Sequence, residues 1–220
     1  MYIKKIKNDP IDENTFIIHD KEHSGCMIVD PFDYHQVVAY ASKNKLDIDY
    51  IILTHEHIDH IGGVNHLREL YKCRLICSRM CSDNIQSPQK NLARYFKVLL
   101  DLNGEKSVPK TFTDKYQDYA CSEADIKFDK KYNFEWNNLP VSLTATPGHT
   151  AASICMEING EAVFCGDSLM KNFEVTTKPP TGSKSDYETI TLPFFKSLKS
   201  NIAIYPGHGE IFELNTKCLG

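Results

Sequence analysis

Short apolar runs that end at polar or glycine-containing breaks recur along the chain and predict its strands. Residues 14–19 and 26–30 flank a polar turn, which predicts an antiparallel hairpin. Further apolar runs predict strands at 50–53, near 74–78, and at 141–145, 153–158, 162–165 and 202–205. The dipeptide Asn159-Gly160 separates two of these runs and predicts a tight hairpin turn between them.

Apolar residues at three- and four-residue intervals predict the helices. This spacing runs through residues 34–44, 64–71, 89–102 and 187–198. In both halves of the chain the predicted strands are followed by a helix. That order favours two β-sheets packed face to face with helices on the outside, which is an α/β fold.

The length of 220 residues is that of one domain. We therefore expect a single domain over residues 1–220, with a helical insertion at about 83–133 that is richer in polar and aromatic residues. This insertion either packs on the core or forms a lid or substrate wall over the site. Two of its residues, Tyr116 and Tyr119, either line the pocket or pack in the core.

The densest chemical signal is the stretch Thr54-His55-Glu56-His57-Ile58-Asp59-His60, which follows the predicted strand at 50–53. In open α/β sheets, ligands bind at turns that follow the C-terminal ends of strands. His55 and His57 stand two apart in an extended segment, so both rings point the same way and can bind one ion. Asp59 and His60 lie one helical step further on and can reach a neighbouring position. This turn therefore predicts a site for divalent transition metals, with room for two.

Three later strands each deliver one potential ligand just past their C-terminal ends. The segments are Pro147-Gly148-His149-Thr150, Gly166-Asp167 and Pro206-Gly207-His208-Gly209, and their glycines allow close approach of the backbone. Each segment alone is a weak signal, because a Pro-Gly-His tripeptide is more often a plain turn. Together with the first motif they give seven candidate ligands, which is the number that two metals need. The seven are His55, His57, Asp59, His60, His149, Asp167 and His208.

These motifs, in this order and together with Val29-Asp30-Pro31, resemble those of the metallo-β-lactamase-fold hydrolases over nearly the whole chain. Within that superfamily the sequence is most similar to the short glyoxalase II-like proteins. The resemblance implies a four-layer αβ/βα sandwich of two mixed β-sheets, with a dinuclear metal site at one edge of the sheets. It also implies a role for each candidate ligand: His55, His57 and His149 at the first metal, Asp59, His60 and His208 at the second, and Asp167 as the bridge.

Two of the departures from the family pattern bear on the site and the substrate. Phe32 follows Asp30-Pro31 where glycine is usual, which indicates a local change of the turn. The chain ends at Gly220, shortly after His208. We therefore expect the C-terminal helical domain, with which glyoxalase II enzymes bind the glutathione part of their substrate, to be missing.

The activity implied by the resemblance is that of a metal-dependent hydrolase with two Zn²⁺ ions per chain, and Fe²⁺ or Mn²⁺ are the alternative metals. In this hypothesis a hydroxide that bridges the metals attacks a carbonyl carbon, in the first place that of a thioester or ester and in the second that of a lactone or lactam. Asp59 is the predicted catalytic residue, because besides ligating a metal it orients the nucleophile or moves its proton. Two alternatives stay open: a sulfur dioxygenase of the same fold with one iron, and a non-catalytic metal-binding module.

Composition narrows the range of partners. The net charge of −4 and a pI near 6.1 disfavour nucleic acid. The sequence has no apolar run of about eighteen residues, which argues against a membrane span, and its first residues lack the apolar core of a signal peptide. The eight cysteines form no C-x-x-C pair and are expected to be free thiols. We therefore expect a cytoplasmic protein that acts on a small-molecule substrate without a nucleic-acid or membrane partner, and the oligomeric state is not predicted.

Overall fold

The computed structural model describes residues 1–102, 104–215 and 218, and within them twelve strands form two six-stranded sheets. The first sheet contains, in spatial order, β1 (Tyr2–Asn8), β2 (Glu13–His19), β3 (Gly25–Val29), β4 (Asp47–Ile52), β5 (Arg74–Ser78) and β6 (Ile126–Phe128). The second contains β7 (Lys131–Trp136), β8 (Leu139–Ala145), β9 (Ile154–Ile158), β10 (Ala162–Gly166), β11 (Ala203–Pro206) and β12 (Phe212–Glu213). Both sheets are mixed, because the parallel pairs β3–β4, β4–β5, β5–β6 and β10–β11 lie beside antiparallel ones.

The described helices are α1 (Tyr34–Asn44), α2 (Ile58–Ile61), α3 (Val64–Tyr71), α4 (Arg79–Asn84), α5 (Phe96–Leu102), α6 (Lys110–Asp114), α7 (Lys184–Asp186) and α8 (Leu192–Ser197). A 3₁₀ turn leads into α5, and a π-helical segment joins α7 to α8. The ends of α1 show why this helix forms where the pattern predicts. The Asp33 carboxylate accepts a hydrogen bond from the His35 amide at its start, and Lys45 adopts the left-handed conformation at its end.

Three hydrophobic clusters separate the layers of the fold. Between the sheets, Phe16 of β2 and Phe164 of β10 share a cluster, with their ring centroids 5.3 Å apart. The next residue of β2, Ile17, points the other way and packs with Val37 of α1 on the outer face of the first sheet. A third cluster contains Phe195 of α8 and covers the outer face of the second sheet. The predicted four-layer sandwich of two mixed sheets with helices outside is confirmed.

Loss of the Phe164 ring is expected to destabilise the packing between the two sheets. The side chain is fully buried, so Phe164→Ala should lower the free energy of unfolding by about 3–5 kcal/mol. Urea denaturation followed by circular dichroism measures this quantity. Phe173→Ala is the control, because Phe173 is 70% exposed, and it should change the free energy by less than about 0.5 kcal/mol. Equal stability of the two variants would contradict this description of the core.

The structure differs from the predicted elements chiefly between residues 83 and 133. We predicted one helix over 89–102, but helical structure begins only after Leu92, whose φ of 66° interrupts the pattern. Within the predicted helical insertion at 83–133, the described helical segments are short, and residues 126–128 form the edge strand β6 of the first sheet. Residues 131–133 open β7 of the second sheet. The helical part of this segment is therefore shorter than predicted.

The structure also bears on two expectations drawn from composition. All eight cysteines are free thiols, as expected, and seven of them are buried. Burial raises the pKa of several of these thiols, for example that of Cys155 to about 12, which keeps them protonated. Among the described residues, no helix combines the length and the apolar character that crossing a membrane requires.

Candidate metal centre

The first sheet delivers four of the predicted ligands from a single strand end. β4 ends at Ile52, and the extended segment that follows carries His55 and His57. His57 is the N-cap residue of α2 and still has extended backbone angles. α2 then carries Asp59 and His60 in its first turn, where the chain has changed from extended to helical. The change of conformation within six residues lets one segment face two neighbouring positions.

The second sheet delivers the other three predicted ligands at the same edge. β8, β10 and β11 run in the same direction, because β10 is antiparallel to β9 and parallel to β11, and β8 is antiparallel to β9. His149, Asp167 and His208 follow these three strands, so they emerge on one side of the sheet. The loops are held together, since the Gly207 amide donates a hydrogen bond to the Gly166 carbonyl oxygen at 2.8 Å.

Three imidazoles form what we call the first ligand group: His55, His57 and His149. Nε2 of His55 lies 3.1 Å from Nδ1 of His57, and Nε2 of His149 lies 3.2 Å from the same atom. All three side chains are buried, and their inward nitrogens lie within 4.8 Å of one another. Three nitrogens at this spacing can bind one divalent ion.

Two imidazoles and a carboxylate form the second ligand group: Asp59, His60 and His208. Oδ2 of Asp59 lies 3.4 Å from Nε2 of His208 and 3.9 Å from Nε2 of His60. These ligand atoms also lie within 4.8 Å of one another. The His60 side chain is completely buried, whereas the Asp59 side chain is 23% exposed. The second group is therefore the one whose carboxylate a molecule from solution can reach.

Asp167 lies between the two groups and faces both. Its Oδ2 is 3.5 Å from Nε2 of His149 in the first group. Its Oδ1 is 3.6 Å from Nε2 of His60 and 3.7 Å from Nε2 of His208 in the second group. All seven residues singled out in the sequence thus meet in one place, in the grouping that the resemblance implied. Their role as metal ligands stays a prediction.

Oxygen atoms hold the outward nitrogen of four of the five imidazoles. The partners of Nδ1 are Thr54 Oγ1 for His55 at 3.1 Å, Asp30 Oδ2 for His60 at 3.1 Å, the Thr176 carbonyl oxygen for His149 at 2.9 Å, and the Asp12 carbonyl oxygen for His208 at 3.2 Å. In each pair Nδ1–H is the donor, because the partner oxygen is an acceptor there. In a neutral ring this leaves Nε2 without a proton and directed at the centre, as metal-binding histidines require.

The electrostatics of the two groups differ. Burial lowers the pKa of His57 to about 3, and burial together with the surrounding histidines lowers the pKa of His55 well below its ordinary value. In the second group burial disfavours a charged imidazole, but the carboxylates of Asp59 and Asp167 raise the pKa of His60 above its ordinary value. Burial also opposes ionisation of Asp59, yet the His60 imidazole beside it holds its pKa below the ordinary value. The imidazoles of the first group are therefore in the neutral form that binds cations, whereas in the second group a bound cation would replace the proton that the two carboxylates favour on His60.

Two buried polar atoms without a hydrogen-bond partner indicate whether a metal fits this site. His60 Nε2 and Asp167 Oδ1 are buried and have no hydrogen-bond partner, although they lie only 3.6 Å apart. Buried polar atoms without a partner cost free energy, and a divalent cation between a nitrogen and a carboxylate oxygen would satisfy both. The set of five imidazoles and two carboxylates suits zinc, and it also suits iron or manganese. The residues present therefore fit a metal.

Two carboxylates behind the ligands, those of Asp30 and Glu13, have contacts that the sequence did not predict. Asp30 accepts hydrogen bonds from the Thr54 amide at 2.8 Å and from the Thr54 hydroxyl at 2.6 Å, besides the one from His60. Glu13 is fully buried, with its Oε1 4.0 Å from His60 Nδ1, and burial raises its pKa well above the ordinary value. The available signal was that Asp30 directly follows β3 at the edge where the ligands collect.

Glu56 stands between the ligands His55 and His57 in the sequence, but the sequence motif did not predict its role. Its carboxylate is buried and accepts a hydrogen bond from Asn84 Nδ2 at 3.0 Å and another from Thr150 Oγ1 at 2.9 Å. These bonds tie the first metal-binding segment to α4 and to the residue after His149. Glu56 therefore fixes the first ligand group from the side that faces away from the centre.

Replacement of Asp30 by asparagine is expected to weaken metal binding in the second ligand group. Asparagine keeps the shape, but it lacks the charge that orients the His60 imidazole and raises its basicity. The affinity for the more weakly held ion should fall by about 10–100-fold. Competition with a chromophoric chelator measures it, and Asp129→Asn, an exposed aspartate that pairs with Arg79, is the control. Equal affinities in the two variants would exclude this role of Asp30.

The chain matches known proteins over most of its length. The family model of the metallo-beta-lactamase superfamily matches residues 8–208. The hydroxyacylglutathione hydrolase of Pelagibacter ubique is 26% identical over 212 residues, which cover 94% of this chain and 70% of that protein. The chain spans about half to two thirds of the length of the curated relatives it matches, from 51% to 70%.

Solved structures show the same fold. The B3 metallo-beta-lactamase BLEG-1 superposes with a TM-score of 0.79 at 20% identity, covering 96% of this chain and 94% of that one. TTHA1623 in a di-iron-bound form superposes with a TM-score of 0.70 at 18% identity, with the same coverage of 96% and 94%. At these identities the likeness concerns the fold alone. The match of the family model to residues 8–208 is what decides membership: the chain belongs to the metallo-beta-lactamase superfamily.

Proposed function

We propose that this chain is a dinuclear zinc-dependent hydrolase that cleaves a small-molecule thioester or ester, with a lactone or lactam as the second substrate class. The observation that carries the proposal is the position of Asp167. Its two carboxylate oxygens face the first and the second ligand group, at 3.5 Å and 3.6 Å from the nearest imidazole nitrogens. A carboxylate in this position suits two adjacent ions that share it.

The chain's residues have separate tasks in this proposal. Two divalent ions, when bound, supply a strong nucleophile at neutral pH and polarise the substrate carbonyl. Asp59 is ionised and partly exposed, so it can accept a hydrogen bond from the attacking water and orient it. In this proposal Asp59 also moves the proton that the water loses. In His55, His60, His149 and His208 the hydrogen-bond partner of Nδ1 keeps the ring in place during turnover and leaves Nε2 directed at the centre.

The relatives support the choice of substrate class. Hydroxyacylglutathione hydrolase, 26% identical to this chain, is named for hydrolysis of an acylated glutathione. We propose the same type of reaction for this chain, hydrolysis of an acyl bond. We do not propose glutathione as part of the substrate, because the chain covers only part of the length of such relatives. A thioester or ester is therefore the first substrate to try.

A one-iron sulfur dioxygenase is the second candidate, and one observation favours it. His55, His60 and Asp167 form a third group of possible ligand atoms within 4.8 Å of one another. Two histidines and one carboxylate with open positions are the ligand set of many non-haem iron oxygenases. In that case the chain would hold one iron and consume O₂ instead of hydrolysing an acyl bond.

We also propose that residues 1–220 act as one domain in the cytoplasm. Seven buried thiols that remain unpaired are typical of a reducing compartment. The net charge of −4 disfavours nucleic acid and leaves a small molecule as the partner. Fractionation of cells that produce the protein at its native level tests the location.

Hydrolysis assays test the proposed activity. Protein purified without added metal or chelator should be tested on thioesters, esters, lactones and lactams, and we expect turnover of at least one thioester or ester. Removal of metal by a chelator should abolish that turnover, and Zn²⁺ should restore it. A protein that holds two metals and turns over no member of the panel would overturn the proposal and favour a non-catalytic metal-binding module.

A further inference from the structure

A cavity of about 360 Å³ lies between α3, the turn after β3 and the segment around α6. The buried ring of Phe32 forms its inner wall, and Phe112 and Tyr116 form its outer wall. The Phe32 centroid lies 5.1 Å from that of Tyr116 and 6.2 Å from that of Phe112. Gly62 completes the inner wall, where a Cβ would lie 2.7 Å from the Phe32 ring. The absence of a side chain at Gly62 therefore lets the Phe32 ring lie directly against the helix.

The helical segment that carries Asp59 also carries a wall of this cavity. Gly62 and His66 line the cavity, and they follow Asp59 by three and seven residues. Residues at these intervals lie on one helical face, and both α2 and the Gly62-Gly63 link to α3 have helical backbone angles. Along the helix axis, Gly62 therefore lies about one turn, roughly 5 Å, from the backbone of Asp59, whose carboxylate belongs to the second ligand group.

Two other segments connect the cavity to the second ligand group in the same way. The turn after β3 carries Asp30, which holds the His60 imidazole, and two residues later it carries Phe32. The turn between β1 and β2 carries Asp12, whose carbonyl oxygen holds another imidazole of that group, and three residues earlier Asp9 of the cavity rim. Three segments thus each carry a residue of the cavity lining within three residues of a ligand of the second group or of a hydrogen-bond partner of one.

The chemistry of the walls favours a ligand that is aromatic and uncharged. The charged groups at the rim already have partners within the chain. Asp33 accepts a hydrogen bond from the His35 amide at 3.0 Å, and Asp9 lies 3.9 Å from Lys7 Nζ. Lys115 Nζ lies over the two rings of the outer wall, 4.8 Å and 4.9 Å from their centroids. A charged ligand would have to displace these partners, whereas a neutral ring could pack against the aromatic side chains of the walls without doing so.

We propose that this cavity binds an uncharged aromatic ring carried by the substrate of the metal centre. The proposal rests on the proposed hydrolase function and names the substrate class, aryl- or benzyl-bearing thioesters and esters. The volume is in the range of small-ligand pockets, about 300–1,000 Å³. The rim already contains one parallel ring pair, Tyr34 and His66, with centroids 4.2 Å apart and an interplanar angle of 1°. The ring sits on the acyl side or on the leaving-group side of the scissile bond, and paired substrates distinguish the two.

Binding of a neutral aromatic probe tests the cavity without any reaction. N-Benzylacetamide should bind the full-length, metal-loaded protein in ligand-observed NMR, and N-methylacetamide, which lacks the ring, should not. Tyr116→Leu and Phe112→Leu keep apolar bulk and should weaken binding by about tenfold or more. Tyr95→Leu is the matched control, because Tyr95 is 48% exposed and lies outside the cavity. No binding to the wild-type protein, or equal affinity in all three variants, overturns the proposal.

Kinetics with three thioesters test whether the cavity serves the metal centre. S-Benzyl thioacetate has the ring on the leaving group. S-Methyl 2-phenylethanethioate has it on the acyl group, and S-methyl thioacetate has no ring. At least one aromatic substrate should have a kcat/KM about tenfold or more above that of S-methyl thioacetate, and Tyr116→Leu should reduce this ratio to about threefold or less. An identical ratio in Tyr116→Leu and Tyr95→Leu overturns the proposal.

The two tests separate failure of the inference from failure of the proposed function. If no thioester, ester, lactone or lactam is hydrolysed but N-benzylacetamide binding still depends on Tyr116 and Phe112, the hydrolase function is wrong and the aromatic site stands. If thioesters are hydrolysed without preference for a ring, the function stands and the aromatic site is wrong. Thermal unfolding of each variant identifies any that fails to fold. If one of Tyr116→Leu and Phe112→Leu does not fold, the other one tests the aromatic site.

Discussion

Asp167→Asn is expected to reduce bound metal from about two ions per chain to one or fewer and to lower turnover by about 10³-fold or more. The reason is the position of the carboxylate between His149 of the first ligand group and His60 of the second. Asparagine keeps the shape but offers one neutral oxygen, so it cannot compensate the charge of ions on both sides. Elemental mass spectrometry and the hydrolysis assay, applied to one preparation, measure both effects.

Asp129→Asn provides the control for this variant. Asp129 is exposed, pairs with Arg79 at 3.0 Å and takes no part in the metal centre, so metal content and turnover should stay at wild-type levels. Circular dichroism separates loss of metal from loss of fold. If Asp167→Asn kept both ions and full turnover, the bridging position assigned to this carboxylate would be wrong.

The second large effect is expected at Asp59. Asp59→Ala should lower kcat by about 10²–10⁴-fold, because the change removes an ionised carboxylate that orients the attacking water and accepts its proton. The carboxylate lies 3.4 Å from His208 Nε2, and at 23% side-chain exposure it can be reached by water and substrate. Steady-state kinetics on a substrate found in the panel, with metal content measured in parallel, gives the effect.

Asp59→Asn distinguishes the two tasks assigned to this residue. Asparagine retains an oxygen that can ligate a metal, so metal content should recover towards the wild-type level. It cannot accept a proton at neutral pH, so kcat should remain low. Full turnover of Asp59→Ala with intact metal content would contradict a catalytic role for Asp59.

The regular elements could be predicted from the sequence where local pattern and tertiary packing agree. Helices α1 and α3 have the predicted bounds, because their apolar faces are continuous and their ends are fixed by local residues such as Lys45 and Lys72 in the left-handed conformation. The turn at Asn159-Gly160 was also predicted, and both residues have positive φ, 55° and 63°. β1 was not predicted, because it is an edge strand whose three lysines, two of them exposed, blur the alternation.

The segment between α4 and β6 was predicted less well, for a physical reason. The helical spacing of Leu92, Phe96 and Leu100 is real, since all three side chains are buried. Leu92, however, has a positive φ, and nothing in the sequence marks a leucine for that conformation. Contacts distant in sequence hold this turn in place, among them the hydrogen bond from Asn91 Nδ2 to the Tyr119 carbonyl oxygen at 2.9 Å.

The candidate ligands could be predicted because each follows a recognisable strand end. The hydrogen-bond partners of these ligands could not be predicted, because those contacts join segments far apart in the chain. Asp30 reaches His60 across thirty residues, and the Thr176 carbonyl oxygen reaches His149 across twenty-seven. The aromatic cavity is a similar case, since Phe32 and Tyr116 meet only in the folded chain. The sequence therefore predicts the metal-binding atoms better than the surroundings that set specificity.

Metal content per chain is the most direct test of the central claim, that the seven residues hold two ions for hydrolysis. Elemental mass spectrometry on protein purified without added metals or chelators should find close to two zinc ions per chain, with O₂ consumption absent during thioester turnover. One iron per chain, together with O₂ consumption on a sulfur substrate, would contradict the hydrolase. That result would assign the centre to the ligand set of His55, His60 and Asp167.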